Sequence, residues 1–541
     1  MTLLSRFSLV AALVAAPLAA QQPAAAAGPT CPVDLNQPKE LITLYNITRP
    51  RAITLQPGAE RTKAIQDIFK VLGNPKTVAA NPLGTNLFAG QMLILWAMTP
   101  GQGPTATRGQ MNWGEPKDQV IDLVKVADSL FTTVEATSPA CFGETKPWRM
   151  AKPWQDRINA AFKAVAANQA DSAEYWAKQS LVLERWSPYA ERVFAAVAQQ
   201  RGSQGDMLTH LQAALKLTEG DTAYAEDRRA VQFQIGQAGL EYAEIQPEPK
   251  RTETLRMATN ALLQLVTESP SAETTPYALS GIGMAAMSLK DSSLFVKCFD
   301  LVDKAIDKFS DMSALQAAIC ANRNGKSADA ARMFELTLAK NPYSRDALYN
   351  EAALLYELRK GKEMLPIVTR LLAIDPNNPD NISLYAYAYN VLNEQANKAA
   401  AEAALAAAAA TPAPAAQKPT PGKPGAKPAP KPAVVAPPPP PPSPFADSVQ
   451  KYMKASDDMK EKVTITEFNR YSDRAEVKGE IENRSKAARS FDIEVEFLDL
   501  TGAVLDKMAA KVENVAPGGT GTFSVKSQKP KIAAWRYAPI K

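Results

Sequence analysis

The sequence predicts a mainly α protein: helical hairpins stacked into a solenoid, then a proline-rich stretch, then a small β-sandwich. Three observations carry this. Between Pro153 and Ala406, small and apolar residues recur at three- and four-residue spacing in units close to 34 residues long. The chain has 541 residues and 42 prolines, and the prolines concentrate between Thr411 and Ala446. From Asp447 to Lys541 the pattern changes to short runs of period two bounded by turn residues.

The repeat pattern is clearest near its end. Asn341-Pro342-Tyr343 and Asp375-Pro376-Asn377 each end a helical segment, and the two prolines lie 34 residues apart. Before Pro342 the inward positions are Ala330, Phe334 and Thr337; before Pro376 they are Met364, Val368 and Leu371. Ala318 and Ala352, with Ala321 and Leu355, match in the preceding helices. Ala173-Ala177-Ser180 and Met207-Leu211-Ala214 repeat the spacing upstream. Thr254-Ala258-Ala261 and Cys298-Val302-Ala305 do so at longer intervals. One such hairpin cannot bury its apolar face alone, so neighbours must stack. These residues, and above all Leu371-Leu-Ala-Ile-Asp-Pro376-Asn-Asn-Pro, resemble the tetratricopeptide repeat family. That resemblance implies a groove lined by the first helix of each hairpin. By this register Leu315, Ile319 and Asn322, then Tyr349, Ala353 and Tyr356, then Ser383, Tyr387 and Asn390 face the groove. Tyrosine combines a rigid apolar face with a polar tip, which suits capture of a peptide. The plainer reading is that these tyrosines pack between helices. Tyr385 and Tyr389 fall on the opposite, core-facing side.

Ahead of the repeats, Lys63–Leu72, Asn86–Met98 and Lys117–Ala136 carry helical periodicity, with a loop at Pro100–Pro104. The start, Met1 to Ala20, reads as a secretory signal: Arg6 supplies the positive region and Phe7–Ala20 the apolar one. Cleavage falls after Ala20 or within Ala24–Ala27. No later segment is long enough for a membrane span, so no integral membrane segment is expected after cleavage. Export to the periplasm or cell surface makes the four cysteines candidates for two disulfides. Four cysteines allow three connectivities. Cys31–Cys141 and Cys298–Cys320 are favoured, because a hairpin turning near Phe309–Asp311 brings the latter two to one height. The alternative is four buried thiols.

Residues 411–446 hold a hexaproline run, Pro437–Pro442, and four lysines, with no acidic residue. This composition cannot bury a core and predicts a disordered, extended linker. It reads as a spacer; the sharper alternative is a segment that threads a cell-wall polymer or docks a proline-recognition domain. Beyond it, a short helix at Asp447–Asp457 precedes strands at Lys462–Asn469, Arg474–Asn483, Ser490–Leu498, Val504–Val512 and Gly521–Val525. Val477-Lys-Gly479-Glu-Ile481-Glu-Asn483, Val495-Glu-Phe497-Leu498-Asp499-Leu-Thr-Gly502 and Val515-Ala-Pro517-Gly518 … Phe523 resemble the FxLyD family of extracytoplasmic domains. The resemblance implies an immunoglobulin-like sandwich with no catalytic residues.

The expected organisation is therefore a signal (1–20), a leader (21–37), an N-terminal helical module (38–145), repeats (146–410), a linker (411–446) and a sandwich (447–541). Composition narrows the function. Net charge is +5 with no concentrated basic face, which argues against a nucleic-acid partner. A single histidine, His210, stands in an amphipathic helical pattern and rules out a multi-histidine zinc site. Gly281-Ile-Gly283 stands in a helical context, and Leu279-Ser280-Gly281 lacks the glycine of a nucleophile elbow. No catalytic, metal or cofactor set is visible, so an enzyme is not expected. The reading is an envelope scaffold that holds a protein or peptide in its groove, with the tethered sandwich free for a second contact. The alternative is a permanent accessory subunit of an envelope assembly machine, which an exposed apolar edge around Leu87–Met98 would favour.

Overall fold

A computed structural model describes residues 31–33, 38–410 and 443–540, in two compact units that divide between Leu262 and Leu263. The expected signal, the leader apart from residues 31–33 and linker residues 411–442 lie outside the described residues.

In the first unit, helices Ala59–Leu72, Pro82–Ala97 and Leu123–Thr137 build the N-terminal module. Pro82–Ala97 is apolar on every face, and every residue from Leu87 to Trp96 is buried. A helix of that composition must be enclosed by others. The expected apolar edge at Leu87–Met98 is thus interior. Lys117–Ala136 is helical only from Leu123 onward. Val120–Asp122 instead pairs antiparallel with Thr105–Thr107, and Asp122 then caps the helix by accepting from the Lys125 N–H at 3.1 Å. Cys31 and Cys141 form a disulfide, as expected. Arg149 is buried completely. It is held by Asp128, by Glu135 at 2.8 Å, by the Thr132 hydroxyl at 3.1 Å and by the Leu183 carbonyl at 3.1 Å. One apolar cluster runs from Leu41 through Phe131 and Trp154 to Val197. The module and the first hairpins therefore share a core. Those hairpins are Lys152–Ala166 with Ala170–Ser180, and Tyr189–Gln200 with Gln204–Leu217. Ala173, Ala177, Ser180, Met207, Leu211 and Ala214 are all buried, as their spacing predicts.

The helices of the second unit are α1 (Thr275–Leu289), α2 (Ser292–Asp303), α3 (Asp311–Arg323), α4 (Ser327–Lys340), α5 (Arg345–Glu357), α6 (Gly361–Ile374), α7 (Pro379–Ala410) and α8 (Ala446–Asp457). They stack in sequence as tetratricopeptide-like hairpins. Helices α3, α5 and α7 start 34 residues apart. The inward positions Ala318, Ala330, Phe334, Thr337, Ala352, Met364, Val368 and Leu371 are all 0% exposed. A disulfide joins Cys298 on α2 to Cys320 on α3.

Helix α8 packs antiparallel on α7. Ser456 donates its hydroxyl to the Pro379 carbonyl at 3.0 Å and lies 2.9 Å from the Ser383 hydroxyl. Tyr452 stacks on Tyr385 and Tyr389, with centroids 4.8 and 5.5 Å away, and Phe445 lies 6.3 Å from Tyr389. The side of α7 that carries Tyr385 and Tyr389 is thus covered by α8. The last hairpin is closed by a helix that lies beyond the proline-rich stretch in sequence.

The sandwich has strands β1 (Glu461–Arg470), β2 (Ala475–Asn483), β3 (Arg489–Leu498), β4 (Val504–Val515), β5 (Thr520–Ser527) and β6 (Ala534–Tyr537). They form two antiparallel sheets, β1-β2-β5 and β4-β3-β6. Val463, Val477, Ile481 and Val525 from one sheet and Phe491, Ile493, Val495 and Phe497 from the other fill the core. Gly479 pairs with Phe523 across β2 and β5, and a Cβ at 479 would sit 2.6 Å from that ring. Only glycine leaves room for the phenylalanine there. Strand β6 was not anticipated; its Ala-Trp-Arg-Tyr run is too short for its alternation to register.

Candidate functional site

The predicted groove residues fall on three helices in equivalent places. Leu315 is buried at 8% exposure, and Ile319 and Asn322 are half-buried on α3. Tyr349, Ala353 and Tyr356 are half-buried on α5. On α7, Ser383 and Asn390 are half-buried, and Tyr387 is 41% exposed. The structure brings some of them together. The Tyr356 and Tyr387 rings lie 5.4 Å apart at a 40° tilt, bridging adjacent hairpins. The Arg345 guanidinium stands 4.9 Å over the Tyr349 ring. Asn390 donates to Glu394 at 2.8 Å, and Glu394 also pairs with Arg359. Ser383 is engaged by Ser456 of α8. The charged members Arg345, Arg359 and Glu394 were missed because their spacing marks them only as helix surface.

The larger departure from expectation is the sandwich. It is seated on the turns that precede α3, α5 and α7. At the first turn, Arg470 of β1 pairs with Asp311 at 2.7 and 3.0 Å. Burial opposes the Asp311 charge, but the hydrogen bonds and charge of Arg470, with Asn341, outweigh it and hold the carboxyl below its ordinary value. At the second turn, Asn341 donates to Asp311 at 2.7 Å and to the Ala533 carbonyl at 3.1 Å. Tyr343 lies against the β3–β4 turn, where Gly502 has φ +85° and a Cβ would fall 2.1 Å from the tyrosine hydroxyl. Both the left-handed backbone and the close approach require glycine there.

At the third turn every polar group of Asn377 goes to the sandwich. Its N–H donates to the Tyr537 hydroxyl at 3.2 Å, and its carbonyl accepts from the Val463 N–H at 2.8 Å. Its amide nitrogen donates to Glu461 at 2.9 Å, and its side-chain oxygen accepts from the Ile540 N–H at 2.8 Å. Beside it the buried Asp375 accepts from Tyr537 at 2.6 Å, Asn381 at 2.8 Å and Arg345 at 3.1 Å. Burial, and then the Asp375 charge, raise the Tyr537 hydroxyl well above its ordinary value. Burial also works against the Arg345 charge, yet Asp375 and Asp346 together raise it. Arg345 thus serves both the seam and the tyrosine face. The third turn thus pairs one backbone N–H of β1, an edge strand of its sheet. Between the C-terminal end of α6 and the sandwich lies a half-open cavity of about 340 Å³, lined by Leu372, Pro376, Glu494, Glu496, Arg536 and Pro539.

Elsewhere His210 lies 2.7 Å from the Glu191 carboxylate, an ordinary pairing between neighbouring helices. Among the described residues no helix is long and apolar enough to cross a membrane, and no group of three or more metal-ligating side chains gathers.

No family model matches the chain, and no curated protein does. Solved structures resembling it include the TPR domain of P58(IPK), at 12% identity over 62% of this chain and 88% of that one, with TM-score 0.20. The Cut9–Hcn1 hetero-tetramer of the APC/C matches at 11% identity over 64% of this chain and 62% of that one, with TM-score 0.25. The alkylpurine DNA glycosylase AlkC of Pseudomonas fluorescens, bound to DNA with an abasic-site analogue, matches at 10% identity over 71% and 90%, with TM-score 0.18. At such scores these likenesses carry no weight, and the fold rests on the hairpins themselves.

Proposed function

We propose that this chain is an exported scaffold that captures an extended segment of a partner protein along the tyrosine face of α3, α5 and α7. One observation carries the reading: the Tyr356 and Tyr387 rings meet at a 40° tilt across adjacent hairpins while Tyr387 stays 41% exposed, so part of this aromatic pair is open to a partner. Rigid amphipathic rings cost little entropy when a peptide is bound, and the Arg345–Tyr349 pair adds a fixed cation beside them. Export is supported by the signal-like pattern of Met1–Ala20 and by two disulfides, which persist in oxidising compartments. The place of action is then the periplasm or cell surface, and the FxLyD-like sandwich fits an extracytoplasmic protein. Its role differs from a free second module, because Arg470, Glu461, Val463 and Tyr537 are engaged by the repeat helices and their turns.

The test is capture from native envelope extract by the mature protein, beside a Tyr349/Tyr356/Tyr387→Ala variant of unchanged helical circular dichroism. Partners held by the first bait and lost by the second support the groove. Identical partners on both baits refute it.

A further inference from the structure

We infer that the sandwich is a brace: by gripping three consecutive inter-repeat turns it sets the rotation between hairpins, and so presets the shape of the face that α3, α5 and α7 present. In a solenoid each hairpin touches only its neighbours, so the step angle is governed by one helix–helix contact at a time and small errors add along the array. Here a single β-body reaches the N-terminal ends of three successive first helices. Arg470 holds Asp311, the first residue of α3, the Ala533 carbonyl accepts from Asn341 before α5, and Asn377 before α7 spends all four polar groups on the sandwich. The three helix starts they flank, Asp311, Arg345 and Pro379, are 34 residues apart. A rigid object fastened at three such points leaves the steps no independent rotation. The fastening is local to the turns. Among the described residues the side chain of Asn377 bonds to Glu461 and Ile540, both in the sandwich and neither in its own turn. Among the described residues the Arg470 guanidinium bonds to Asp311 and, within the sandwich, to the Ala533 carbonyl.

The test is hydrogen exchange on the full chain, wild type against an Asn377→Ala/Arg470→Glu variant, in which a second acidic charge faces Asp311. Undocking is read from exchange of the Val463 amide, whose N–H donates across the seam to the Asn377 carbonyl at 2.8 Å. The brace predicts that amides in the first turns of α3, α5 and α7 exchange roughly tenfold faster, while β2 and β3 keep their protection. Unchanged exchange in the three helices with the Val463 amide deprotected overturns it, because the sandwich is then a passenger. A variant that remains docked also overturns it, since these contacts would not be what joins the sandwich to the turns. No partner enters the measurement, so its outcome is independent of whether the tyrosine face binds a peptide.

Discussion

Tyr537 donates its hydroxyl to the buried carboxylate of Asp375 at 2.6 Å, across 162 residues of sequence. The acceptor is 0% exposed and the donor 2%. A hydrogen bond to a charged group in such a place contributes about 1.5–3 kcal/mol. Tyr537→Phe keeps the ring and deletes the donor, while Arg345 and Asn381 still serve Asp375. The expected outcome is a loss of about 2 kcal/mol in urea unfolding of the second unit. A midpoint equal to wild type would show that the seam is solvated.

The Asp311–Arg470 pair should make docking acid-sensitive. The folded carboxyl lies below its ordinary value. The stability it contributes is therefore complete above the unfolded value, near pH 4, and is lost as pH falls through the folded one. Arg470→Ala leaves a buried charge and should cost about 3 kcal/mol at pH 7. The gap between wild type and variant should shrink below about pH 4. A gap that stays constant down to pH 3 would contradict this assignment.

Glu351 on α5 has the opposite sign. Burial pushes its carboxyl up to about 7, with Glu335 adding and Arg370 opposing. Its Oε2 finds no hydrogen-bond partner among the described residues. Because the folded value lies above the unfolded one, the stability is complete below about pH 4 and is lost as pH rises through about 7. Glu351→Gln should therefore match wild type at pH 4 and exceed it by about 2 kcal/mol at pH 8. Thermal melts at the two pH values decide it.

The Cys298–Cys320 disulfide closes a loop with a sequence separation of 22. In the chain-entropy model such a loop adds about 3 kcal/mol. The Cys298→Ala/Cys320→Ala variant should unfold at correspondingly lower denaturant, and reducing a Cys31→Ala/Cys141→Ala variant, which keeps the Cys298–Cys320 bridge alone, should reproduce most of the loss. No change on reduction would mean that the two helices hold together by packing alone.

Much of this was legible because it is local. Pro342 and Pro376 marked the period, and the residues counted back from them are the ones fully buried in α4 and α6. A hairpin turn midway between Cys298 and Cys320 sufficed to pair them. The expected groove positions share that register, but Ser383 is taken by Ser456 of α8, which its own spacing could not show. Lys117–Asp122 misled because its short polar run fits a helix end as well as it fits the strand it forms.

The sequence by itself determined the hairpins, their period, the inward faces and five of the six sandwich strands, since each depends on residues a few positions apart. Tertiary structure alone decided that α8 closes the last hairpin and that the sandwich sits on the turns. Asn377 looks like any turn asparagine, and Asp375-Pro-Asn-Asn-Pro379 like any helix stop. Their partners Glu461, Val463 and Tyr537 lie beyond the proline-rich stretch. A polar group's need for a partner is written in its own chemistry, but which distant strand satisfies it is settled only when the chain has packed.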